Sequence, residues 1–282
     1  MDWLIDAFEP AFMQRALVGS LIAVVATSLV GTWVVLRGLA FLGDALAHGV
    51  IPGIALAVLW GFSPIIGAFV AALVMSSLVS VVSNRTAVRE DTAIGLLFVG
   101  MLSLGIVIVS RARSFSTEVT ALLFGDVLGV TRADIRSQLI AAAIVVATTV
   151  VLHRPFMALT FNRDKAQTLG MYPALAHAAM LTILALSIVA SFQAIGTLLV
   201  FGLLVGPPAT ASLVVRRVPA IMVVSMLLGA VAVVSGLLIS FHYGTAGGAT
   251  IAGLSVLQFF AALTIREMAA AIRRPSGSTA LG

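Results

Sequence analysis

Two ionisable side chains stand in a stretch that is otherwise almost wholly apolar. In LRGLAFLGDALAHGVIPG, Leu36–Gly53, Asp44 and His48 are four residues apart. On one helix that spacing puts them on a common face, about 6 Å apart. His48 lies eleven residues past Arg37, which at 1.5 Å per residue carries it ~16 Å along the helix axis. That depth is about the middle of a hydrocarbon layer roughly 30 Å thick. Ionisable groups there are costly and mark ion or substrate paths. A carboxylate and an imidazole are two ligands of a divalent-metal site that needs partners from other helices. They are equally the two parts of a proton relay, or a pair that only satisfies itself.

Further ligands must come from the few other polar groups in apolar surroundings. Glu90 and Asp91, in REDTAIG, open an apolar segment. Asp91 is a candidate metal ligand, although two acids at a helix start also suit the helix dipole. His242, in FHYGTAGG, closes another segment and is either a metal ligand on the way in or an interfacial residue. His177, just after Pro173, reads as structural, and Asp126, in LLFGDVLG, as a group lining an entrance. His153 reads as a loop residue beside Arg154 and Pro155.

The elements that position these groups must be membrane spans. Of the 282 residues 61% are hydrophobic and 10% charged, and the mean hydropathy is +1.17. A soluble chain carries about 25% charge, so this one is dissolved in a bilayer. With about 20 apolar residues per span, segments fall at Ala16–Leu36, Leu39–Trp60, Pro64–Val82, Thr92–Ser110, Ser137–Leu152, Pro173–Ala190, Ala194–Val215, Val218–Phe241 and Ala249–Ile265. Glu118–Val130 is too short to cross and reads as re-entrant or interfacial. The expectation is an all-α polytopic bundle of about eight or nine spans, one domain over 1–272 with a flexible tail at 273–282. An external N-terminus places eleven cations in inside loops and five outside, as the positive-inside rule requires.

The net charge of +5 comes from fifteen Arg and one Lys, scattered rather than striped, which argues against nucleic acid. Without cysteine there are no disulfides and no thiolate metal sites. No GxxxxGK[ST] is present, so the chain cannot hold ATP through a P-loop. No HExxH is present either, and no nucleophile–base motif, so an intramembrane enzyme is not expected. Between the fifth and sixth spans lies FMALTFNRDKAQTLGMYP, Phe156–Pro173. Phe156, Leu159, Ala166 and Leu169 form an apolar side around the polar run Asn162, Arg163, Asp164 and Lys165, and Gly170 ends the stretch. Such a helix docks into a partner's groove or rests at the membrane interface.

In this order and spacing, VVLRGLAFLGDALAHGVIPGIALA, EDTAIGLLF, LLFGDVLGVTRADI and TLLVFGLLVGPPATASLVVRR resemble the membrane-spanning permease subunits of bacterial zinc and manganese ABC importers. The resemblance runs over about Gln14–Ile265. It implies that Asp44 and His48 belong to the metal path. It implies that Asn162–Gly170 (with Arg163, Asp164, Ala166 and Leu169) is a cytoplasmic coupling helix touching a separate ATPase. Where the family reads much like D-x-P-x-G, this chain has GTAGG at Gly244–Gly248, so no ligand carries over there.

The expected protein is therefore a multi-pass permease of the bacterial cytoplasmic membrane, working by alternating access and itself no enzyme. Its partners would be a cytoplasmic ATP-binding subunit, an extracytoplasmic metal-binding protein and a second copy of the chain. It would hold no permanent cofactor, only the transported ion. His48, with His242 and His177 near the path, leans the cargo toward zinc over manganese. The rival is a gradient-driven transporter or channel using Asp44 and His48 as a proton relay.

Overall fold

In lipid every backbone amide and carbonyl must be paired within the protein, which leaves this apolar chain the α-helix. The computed structural model describes residues 6–85, 89–111, 129–161 and 171–273, and among them it contains helices and no strand. In chain order these are α1 (Ala11–Leu36), α2 (Ala40–Gly49), α3 (Ile51–Trp60), α4 (Pro64–Arg85), α5 (Glu90–Arg111) and α6 (Arg132–Val151). They continue as α7 (His153–Phe161), α8 (Pro173–Ile195), α9 (Thr197–Val214), α10 (Val218–Tyr243) and α11 (Gly247–Arg273). Among the described residues nine helical segments are long and apolar enough to cross a membrane, with α2 and α3 together making one.

Sequence and structure differ where hydropathy is a poor ruler. The second span is not continuous: it breaks between Gly49 and Ile51. The fifth starts at Arg132 rather than Ser137, because Thr131 caps it. The Asp134 amide donates to Thr131 Oγ1 at 3.2 Å, and the Thr131 amide donates to Asp134 Oδ2 at 2.9 Å. This reciprocal pair satisfies two end amides that lipid could not. The stretch after the fifth span begins with a helix, α7, whose Phe156 and Leu159 are buried in the bundle.

α1 is the central post, packed against α6, α8, α9 and α10. On one side α2 to α5 pack among themselves, and on the other α9, α10 and α11 do the same. α8 joins the two sides by touching α1, α2, α4, α6 and α9. Lipid tails offer helices no hydrophobic drive to associate, so close backbone approach takes its place. A methyl at Gly53 of α3 would overlap the carbonyl oxygen of Gly67 on α4, and a methyl at Gly67 would overlap that of Gly53. Pro208 inside α9 has no amide for the Leu204 carbonyl. That oxygen lies instead where a side chain at Gly31 of α1 would be.

Candidate functional site

α2 presents Asp44 and His48 because its other sides are filled. Leu42, Gly43, Ala45, Leu46, Ala47 and Gly49 are buried. A side chain at Gly43 would strike Leu204 of α9, and one at Gly49 the thioether of Met75 on α4. What remains is the stripe Phe41, Asp44 and His48, at helical spacing on one face. The His48 ring meets Phe98 of α5 edge-on at 6.0 Å, and Phe98 meets Phe41 at 5.8 Å. The side chains of Asp44 and His48 are 33% and 29% exposed.

His48 Nε2 stands 3.6 Å from Asp44 Oδ1. That is too long for a hydrogen bond. It is near the separation of about 3.0–3.4 Å between adjacent ligands of one metal, given bonds of about 2.1 Å. His48 also lies in the last turn of α2, where the helix dipole is negative and favours a cation.

The other candidates lie elsewhere. Asp91 is exposed in the first turn of α5, seven residues before Phe98. His242 is at the far end of α10, with its Nδ1 2.9 Å from the carbonyl of Leu238 on its own helix. Among the described residues no group of three or more His, Asp or Glu comes together to hold a metal. Asn162, Arg163, Asp164, Ala166, Leu169 and Gly170 lie outside the described residues, as does Asp126.

A second polar cluster joins residues that the sequence presents as unrelated. An amino nitrogen of Arg37 lies 2.9 Å from His177 Nδ1. The other is 3.8 Å from Glu90 Oε2. His177 Nε2 is 3.7 Å from Glu90 Oε1. These residues sit at the C-terminal end of α1 and the N-terminal ends of α5 and α8, and the common side that the cation count predicts for those ends is the one signal the sequence offers for them.

The architecture has counterparts. A structure of PsaBC from Streptococcus pneumoniae in complex with Fab superposes with a TM-score of 0.85 and 27% identity, over 97% of this chain and 99% of that one. A manganese transport system membrane protein of Halalkalibacterium halodurans is 32% identical over 86% of this chain and 82% of its own length. A chelated iron transport system membrane protein of Yersinia pestis is 34% identical over 92% and 86%. The model of the ABC 3 transport family matches residues 9–266. The chain belongs to the ABC 3 transport family. As a member of that family with nine apolar spans among its described residues, it is a multi-pass permease of the cytoplasmic membrane and the transport component of an ABC importer.

Proposed function

We propose that this permease carries a divalent transition-metal cation inward by alternating access, and that Asp44 and His48 are the residues that hold the ion on its way. The observation that carries this reading is the pair itself. It is an acid and an imidazole at metal-ligand separation, 3.6 Å apart, on a partly exposed face of a helix that ends one residue past His48. A proton relay is less well supported, because the separation exceeds a hydrogen bond.

Two ligands are too few to hold a divalent ion against water. A second copy of the chain, facing the first through α2, would supply the other two. Manganese is favoured as cargo. The lean toward zinc counted three histidines, yet His177 is engaged with Arg37 and His242 with its own helix. One imidazole per chain beside carboxylate and water oxygen suits manganese better. The name of the relative in Halalkalibacterium, a manganese transport protein, supports the same direction.

ATP would be bound by a separate subunit, since this chain has no P-loop, and that subunit would dock on residues 162–170. An extracytoplasmic binding protein would deliver the ion from outside. Uptake by proteoliposomes holding permease and ATPase tests the assignment. Manganese should enter on addition of ATP and compete with zinc and iron. Uptake driven by a proton gradient without ATP would overturn it.

A further inference from the structure

We propose that Arg37, Glu90 and His177 are positioning residues for coupled transport, forming a cytoplasmic fastener between the ATPase-docking segment and the Asp44–His48 station. This rests on the reading of residues 162–170, Asp44 and His48 just given. It extends that reading to three residues that neither dock the ATPase nor hold the metal.

The backbone fixes where Arg37 stands. α1 ends in a tight cap: the Gly38 amide donates to the Val35 carbonyl at 3.0 Å and the Leu39 amide to the Val34 carbonyl at 2.9 Å. Gly38 has φ +69, a left-handed conformation that glycine adopts without strain. α2 begins three residues after Arg37, and Asp44 lies seven residues beyond it. From this fixed point the guanidinium reaches two other helices, touching His177 and Met180 of α8 at 2.9 and 3.7 Å and Glu90 of α5 at 3.8 Å.

Those helices lead in two directions. Residues 162–170 are bounded by α7 and α8, and the end of α1 grips both. Trp33 packs on His153 at 5.5 Å and on Phe156 at 5.6 Å in α7. Arg37, one turn further along the same face of α1, binds His177 in α8. On the other side Glu90 opens α5, and Phe98, eight residues on, touches the His48 ring. A contiguous line of contacts therefore runs from the flanks of the docking segment through Arg37 and Glu90 to the metal pair.

The chemistry suits a device that parts and re-forms. Arginine is always a donor, so Nδ1 of His177 accepts from it and Nε2 carries the proton toward Glu90. Both contacts to Glu90 exceed hydrogen-bond length. Its Oε1 is buried with no hydrogen-bond partner among the described residues. Charge holds the carboxylate in place without a bidentate lock, so separating it from Arg37 breaks no ideal bond. The guanidinium beside Glu90 and His177 also repels a cation, so these two are not a second metal site.

Contiguity alone does not demonstrate coupling, and the whole transporter in proteoliposomes gives the test. Manganese uptake, ATP hydrolysis and equilibrium manganese binding are measured for Glu90→Gln, Arg37→Lys and His177→Asn. We expect manganese affinity to stay within about twofold while ions moved per ATP fall about tenfold, in the range of typical coupling energies. Arg37→Lys, which keeps the charge and loses the fork, should fall between wild type and Glu90→Gln. The exchanged pair Arg37→Glu with Glu90→Arg should recover uptake above either single change. Unchanged ions per ATP in both Glu90→Gln and His177→Asn would overturn the proposal. A fall in manganese affinity that matches the fall in uptake would also overturn it, by making these residues ligands. If Glu90→Gln does not assemble, His177→Asn carries the same ratio. Asp44→Asn, measured alongside, separates the two readings: if it binds and transports normally, the metal-site assignment fails whatever the Glu90→Gln ratio shows.

Discussion

The carbonyl oxygen of His48 takes its hydrogen bond from the backbone just past the end of α2, because Pro52, four residues on, has no amide to give. The span therefore breaks directly after its metal-binding candidate, and the first half-helix ends with its negative pole at the imidazole. Broken spans of this kind place ion sites in transporters where backbone can leave the helix without facing lipid.

Replacing Pro52 with Ala should fuse α2 and α3. The new hydrogen bond contributes about 1 kcal/mol. The variant should melt higher in detergent yet transport several-fold more slowly. Unchanged uptake in a more stable Pro52→Ala protein would show that the break has no part in transport.

The crossing of α3 and α4 rests on Gly53 and Gly67. Gly53→Ala must push the backbones apart and should lower stability by about 1–3 kcal/mol, the usual cost of overpacking. Gly100→Ala on α5, where an added methyl meets nothing within 4 Å, is the control and should be neutral or slightly stabilising. Thermal unfolding of the two variants in one detergent compares them directly. Equal melting temperatures would contradict the close crossing.

Much of this architecture was legible in the sequence, because lipid makes mean hydropathy a direct reading of helix position. The Asp44–His48 pair was legible for the same reason: two ionisable groups in an apolar span stand out at once. The interruption before Pro52 was visible as a proline within Leu39–Trp60, but not as the boundary of α2 and α3, since hydropathy has no term for a lost amide. A helix from Phe156 was legible in its apolar spacing, but not that Phe156 packs on Trp33, more than a hundred residues away in sequence. The sequence presents Arg37, Glu90 and His177 one at a time, with nothing to link them. Arg37 looked like a loop anchor and Glu90 like a dipole partner of Asp91. Only the fold brings them to one point.

Gln138 is 2% exposed, and both atoms of its amide lack a hydrogen-bond partner among the described residues. Gln138→Met keeps the volume and removes the desolvation cost, about 1–3 kcal/mol. A rise in melting temperature with transport unchanged is the expected outcome. A fall in uptake at higher stability would give this amide a part in transport.

The chain has no native cysteine, so single cysteines introduced across residues 161–169 report docking without background. They should cross-link to the ATPase, and reversing the charges at Arg163 and Asp164 should uncouple ATP hydrolysis from uptake. Cross-linking only from the Arg216–Pro219 turn would move the docking element there.

The central claim is that Asp44 and His48 hold the transported ion, and direct manganese binding to the purified, assembled transporter tests it. Asp44→Asn and His48→Ala should each lower affinity by about 100-fold, the upper end of what even indirect changes at metal sites cost. Assembly with the ATPase should be intact and ATP-driven uptake should be lost. Binding and uptake within about twofold of wild type in both variants, at equal amounts of assembled protein, would contradict the account.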